Sequence, residues 1–131
     1  MKIATVLTSL TAFIAVGIET ASARCFQSGA TYEDKDTSKW HIQRACEGYD
    51  GKAGAFQGYY RPGEFKSACV TISGTQVIRM SVGNLNKNAG FDLGDKDCTL
   101  RLQNEVNNCN RGSEHDVSGW RFRVDPNNER C

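Results

Sequence analysis

The chain has 131 residues, 16 basic and 15 acidic side chains, and six cysteines. This near-neutral balance argues against a nucleic-acid binder and against general adhesion to acidic membranes. The short length and even cysteine count point instead to one small domain framed by disulfides.

In chain order, Met1-Lys2 precedes an uncharged, mostly apolar run from Ile3 to Ile18, and Ala21-Ser22-Ala23 follows. A basic start, an apolar middle and a small-x-small site predict a secretory signal peptide over residues 1–23. The run is too short, and too diluted by Thr, Ser and Gly, to read as a membrane span. No later segment is apolar enough to cross a bilayer, so no stable membrane insertion is expected. Cleavage after Ala23 leaves Arg24 to Cys131 as a single cysteine-rich domain of 108 residues. Only Lys2 and Glu19 leave with the leader, so 15 basic side chains face 14 acidic ones. No N-glycosylation sequon occurs.

Cys25 to Ser28 reads as a short extended start. Asp34 to Ser38 offers several helix caps. Ile42, Ala45, Cys46 and Tyr49 then recur at one-face helical spacing, which predicts a helix from about Thr37 to Glu47. Gly48 and Gly51 are its stops. Lys52 to Tyr60 is glycine-rich but aromatic, the pattern of a bent strand. Arg61-Pro62-Gly63 signals a turn. Phe65 to Ile72 and Gln76 to Val82 read as a hairpin around Ser73-Gly74-Thr75, with Ile78, Met80 and Val82 on one apolar face. Gly83 to Gly94 reads as a loop. A second helix is predicted from Asp95 to Asn108. Last comes a half-buried strand with Trp120, Phe122 and Val124 on one face and Arg121, Arg123 and Asp125 on the other.

In CTLRLQNEVNNC, Cys98 and Cys109 share a helical face about 16 Å apart. A disulfide needs Cα atoms within about 7 Å. These two therefore do not pair with each other, and the rest of the connectivity stays open among the six cysteines. Metal binding is disfavoured, because there is no C-x-x-C pair and His41 and His115 lie far apart in sequence. No cofactor is expected. One-sided strands and two one-sided helices predict an α+β fold. Its form is an α/β sandwich, with a mainly antiparallel sheet of about five strands, two helices on one face and three disulfides.

No catalytic residue is assigned. There is no G-x-S-x-G elbow, His41 lies on the surface stripe of the first helix, and Glu114-His115-Asp116 reads as a solvated polar loop. Asp92, Asp95 and Asp97 miss the calcium-loop pattern and suit a helix start. A small hydrolase with an acid pair drawn from Glu114, Asp116 and Asp125 is the disfavoured enzymatic alternative, since no constellation converges. Two sets of residues suit contact with a partner protein. Tyr59, Tyr60, Arg61, Phe65 and Lys66 flank the Pro-Gly turn. Arg79, Arg121 and Arg123 belong on the outward sheet face.

Three pieces carry a family resemblance. They are I-x-x-A-C-x-G at Ile42 to Gly48, C-x-x-x-L-x-x-x-V-x-x-C at Cys98, Leu102, Val106 and Cys109 (one residue shorter than in the family), and a strand ending in the terminal cysteine, GWRFRVDPNNERC. Together with the strand before the second helix, this ordered set resembles the fungal killer-toxin-like family over most of Arg24 to Cys131. The family's prototype is the single-chain killer toxin of smut-fungus viruses, and its relatives include small secreted fungal effectors. The resemblance implies the pairs Cys25–Cys109, Cys46–Cys98 and Cys69–Cys131. The prototype's two further bridges are absent here as whole pairs, so no thiol is orphaned. It also implies an antiparallel sheet with two antiparallel helices on one face.

The function it implies is that of a secreted, extracellular, non-enzymatic toxin or effector. The expected partner is a cell-surface or extracellular protein of a host or competitor, with a calcium channel and antagonised calcium uptake as the sharp version. A monomer is expected, and no nucleic acid. The alternative is an apoplastic inhibitor of a host secreted enzyme such as a protease, with a rigid loop like Arg61 to Lys66 entering its cleft.

Overall fold

The computed structural model describes residues 25–131, so the predicted leader lies outside the described residues. Helix α1 spans Lys35–Glu47. It starts two residues earlier than the periodicity suggests, because Asp34 is the cap that is used. Its Oδ1 accepts from Thr37 N–H at 2.9 Å and its Oδ2 from the Thr37 hydroxyl at 2.8 Å, which satisfies an orphan donor of the first turn. The same bonds hold the Asp34 carboxyl below its usual range. At the other end Gly48 adopts φ 80° and donates to Arg44 O at 2.9 Å. A side chain at Gly48 would meet Lys52 O at 2.5 Å, so the stop requires glycine.

The main sheet is antiparallel, in the order β2-β3-β6-β5. Its strands are β2 Phe65–Thr71, β3 Val77–Asn84, β5 Ser113–Val117 and β6 Trp120–Asn127. A small second sheet pairs β1, Tyr59–Tyr60, with β4, Phe91–Asp92. The first extended segment contributes one bridge, Cys25 to Ser113. Of the bent strand expected over Lys52 to Tyr60, only β1 forms. Gly83 and Asn84, expected in a loop, belong to β3.

Strand β5 is the larger departure. The stretch expected to be a solvated loop pairs with β6 from Ser113↔Val124 to Val117↔Trp120. Ser118 and Gly119 link the two strands at φ 53° and 83°. Positive φ at both turn residues suits a tight hairpin that follows the twist of the strands. The strand can be polar because it lies at a sheet edge and an acidic side chain of the second helix meets its inward face.

That helix, α2, spans Asp95–Asn108. It runs antiparallel to α1. Lys39 Nζ reaches Asn107 at one end, and at the other Lys96 Nζ and Thr99 Oγ1 both bond Glu47. The core lies between the helices and one face of the sheet. Ile42, Cys46, Cys98, Leu102 and Val106 pack there with Ile78, Met80, Val82, Phe122 and Val124. These are the apolar stripes of the two helices meeting the apolar alternation of two central strands.

Three disulfides close the frame: Cys25–Cys109, Cys46–Cys98 and Cys69–Cys131. They are the pairs that the resemblance implies. Cys98 staples α2 to α1, and Cys109, the C-terminal cap of α2, staples it to the N-terminal segment. Among the described residues no helix is long and apolar enough to cross a membrane. A small domain with this density of cross-links is of the kind found in oxidising, extracellular settings.

Candidate protein-contact surface

The turn after β1 is built by its sequence. Pro62 supplies a fixed φ, Gly63 adopts φ 74°, and Glu64 N–H donates to Arg61 O at 3.0 Å. This is the pattern of a type II turn. Glu64 Oε1 accepts from Arg61 N–H at 2.7 Å and lies 3.5 Å from the Arg61 guanidinium. The backbone bond, with Arg61 and Lys66 nearby, holds the Glu64 carboxyl below its usual range. The Arg61 side chain is 78% exposed at the tip. Tyr59, 60% exposed, together with Phe65 and Phe91, adds an exposed aromatic rim. The Phe65 ring lies across Gly83 on the neighbouring strand, where any side chain would overlap it.

Tyr60 does not belong to this rim. It is fully buried, its hydroxyl donates to Phe56 O at 2.8 Å, and its ring meets Trp120 edge-on. Burial, with Glu64 and Asp92 contributing less, pushes its hydroxyl pKa up. Strand alternation sends one of two adjacent tyrosines inward, and the sequence did not say which. Lys66 points inward as well. Its ammonium sits 4.1 Å over the Tyr60 ring and donates to Gln57 O at 2.8 Å.

The structure brings Arg79, Arg121 and Arg123 together on the outer sheet face, each opposite acidic neighbours. Arg121 makes a two-pronged contact with Asp116 at 2.7 and 2.9 Å. Arg123 reaches Glu114 and Asp125, and Arg79 reaches Glu129 at 2.6 Å. The Phe26 ring lies 4.8 Å from the Arg123 guanidinium. The Asp116 carboxylate, ahead of the weaker effect of Glu114, raises the pKa of Arg121 still further. Cross-strand pairing of this kind neutralises the face, so it is a charge ladder and not an open cationic patch.

Sequence reading missed two clusters. In the first, Glu105 of α2 is nearly buried, accepts from the Ser113 hydroxyl at 2.7 Å and lies 3.3 Å from His115 Nδ1. Serine, histidine and carboxylate meet here, but both partners use the same carboxylate. The serine proton points to Glu105 and not to the imidazole, so this geometry does not activate the hydroxyl. The signal was Glu105, the one charged residue on an otherwise apolar helical face.

In the second, the Arg44 guanidinium stacks 4.3 Å from the Trp40 ring centroid and 3.6 Å from that of Tyr49. Both rings are partly exposed. The i, i+4 spacing of Trp40 and Arg44 was the available signal. Periodicity alone puts Tyr49 on the apolar face of the first helix. The helix ends at Glu47, and the positive φ of Gly48 turns Tyr49 outward. Beside this stack, a cleft of about 420 Å³ separates α1 from β2, with His41 on its wall. Burial there, and then the charge of Arg44, lower the His41 pKa. Asp95 and Asp97 lie in the first turn of α2, where Asp95 accepts from Gln57 at 2.8 Å. No cluster fit to hold a metal occurs among the described residues. In comparisons with known proteins, no family model and no curated protein matches the chain.

Proposed function

We propose that this protein is a secreted, non-enzymatic toxin or effector that acts by binding a protein on a competing or host cell, with antagonism of calcium uptake as the specific outcome. The observation that carries this reading is the cross-linked frame. Its three disulfide pairs coincide with those implied by the killer-toxin resemblance. A cross-linked scaffold limits the entropy lost when its surface docks. The Glu105 cluster supports a non-enzymatic role, because its hydroxyl is bound to a carboxylate in place of a base. The exposed aromatic rim at Tyr59 and Phe65 and the stacked Arg44 offer chemistry typical of protein contacts.

The test is growth of susceptible fungal or plant cells in the presence of the purified mature protein, with and without added calcium. Inhibition relieved by calcium is the expected result. Inhibition that calcium leaves unchanged would remove the calcium step, and absence of inhibition would remove the toxin reading.

The turn at Arg61 to Glu64 favours a second reading, inhibition of a secreted protease. A pinned turn presents one exposed basic side chain, as a cleft-entering loop does. Assays against extracellular proteases separate the two readings.

A further inference from the structure

The two edges of the main sheet are treated differently. On β5, Glu114 and Asp116 are charged, the Cys25 bridge covers one end, and Phe26 N–H donates to Gly112 O. These features discourage further pairing. On β2 the bonds to β3 alternate. Asn84 N–H reaches Glu64 O and Ile72 N–H reaches Gln76 O, both at 2.9 Å. In the antiparallel register, residues 64, 66, 68, 70 and 72 therefore bond to β3. The N–H and C=O groups of Phe65, Ser67, Cys69 and Thr71 point to the open side. Among the described residues, no backbone or side-chain group bonds to them. From Ser67 to Thr71 the strand carries no charge, proline or bulge.

Beside this edge lies the cleft between α1 and β2, floored by Ala45, Ala68 and Val70 and rimmed by Arg44 and Tyr49. Among the described residues no carboxylate forms an ion pair with Arg44. Its guanidinium is held in place by two aromatic rings, a cation fixed at the rim of an apolar slot.

The geometry points to a strand-addition site. An extended peptide segment of a partner protein pairs with β2, places alternate β-branched or apolar side chains in the cleft, and sets an Asp or Glu carboxylate on Arg44. Backbone bonds supply affinity in this mode and the pocket supplies specificity. A second copy of β2 answers the site poorly, because FKSACVT offers a lysine and no carboxylate. This assignment rests on the reading that the protein works by binding another protein.

The probe is a displayed library of linear peptides about ten residues long, long enough for a strand, panned on the folded mature protein. Recovered peptides are expected to carry Asp or Glu within a β-branched run. They are expected to bind Ser67→Pro at least tenfold more weakly. Proline there removes an outward N–H and leaves the β3 ladder intact. Arg44→Gln is expected to weaken them about tenfold, the loss of a charged hydrogen bond. Hydrogen exchange should show new protection at the Ser67, Cys69 and Thr71 amides when peptide is bound, and this readout decides the matter on wild-type protein if Ser67→Pro fails to fold.

Recovery of no peptide, equal binding to Ser67→Pro, or indifference to Arg44→Gln would overturn the site. So would a wild-type dimer whose Ser67, Cys69 and Thr71 amides are protected without peptide. Full growth inhibition by folded Ser67→Pro would overturn the site and leave the toxin reading standing. Peptide capture by a wild-type protein that inhibits no cell would do the reverse.

Discussion

Asn84→Ala is expected to lower the free energy of unfolding by roughly 3 kcal/mol, read from urea unfolding as a lower midpoint with an unchanged slope. Asn84 is fully buried at the end of β3. Its amide nitrogen donates to Ala89 O at 3.0 Å, Arg61 O at 3.2 Å and, more weakly, Tyr60 O at 3.4 Å. Its amide oxygen accepts from the backbone and side-chain nitrogens of Asn86, both at 3.0 Å. One side chain thus joins the bend before the exposed turn to the loop that returns through Ala89. Alanine would take this donor from the buried Tyr60 and part-buried Ala89 carbonyls and this acceptor from Asn86, and a buried group left unpaired costs about 1–3 kcal/mol. Asn84→Asp has the same size but replaces the donor with an acceptor, so it should cost at least as much. An unchanged midpoint in both variants would show that the bend and the loop hold themselves together without Asn84.

The second large effect is expected from removing the Cys46–Cys98 bridge. The double variant Cys46→Ala, Cys98→Ala is expected to lose about 4 kcal/mol in the chain-entropy account, given a sequence separation of 52. For a domain of this size the loss corresponds to a fall of roughly 15–20 °C in Tm. Both sulfurs are buried between the helices, so the packing lost with them adds to the effect. The polar bonds at the two ends of the helix pair, Lys39 to Asn107 and Lys96 to Glu47, are exposed. Contacts of that kind contribute little and would not make up the difference. A Tm within a few degrees of wild type would mean that core packing alone sets the helix pair.

The parts of the fold legible in the sequence were those with strong periodicity. Both helices, the β2–β3 hairpin and β6 alternate or repeat clearly, because each buries one face. The turn at Pro62-Gly63 was legible because proline presets the first dihedral and glycine takes the positive φ of the second without strain. Strand β5 was not, because Ser113 and His115 face inward on a polar strand, and what they meet there is the Glu105 carboxylate of the preceding helix, not an apolar face. Its one local signal was Ser118-Gly119 between Val117 and Trp120, the dipeptide of a tight hairpin. Of the candidate contact residues, the alternation of β6 placed Arg121 and Arg123 outward. It could not show that Glu114 and Asp116 of an unrecognised neighbouring strand would pair with them. The Arg44 stack escaped for a related reason. It needs Tyr49, which periodicity assigned to the core and a glycine cap turned out to solvent.

The most direct test of the account is the disulfide map of the protein recovered from culture medium, by non-reducing digestion and mass spectrometry. The account predicts a chain beginning at Arg24 with Cys25–Cys109, Cys46–Cys98 and Cys69–Cys131 joined and no free thiol. A Cys98–Cys109 bond, a free thiol, or a chain that keeps residues 1–23 would contradict it.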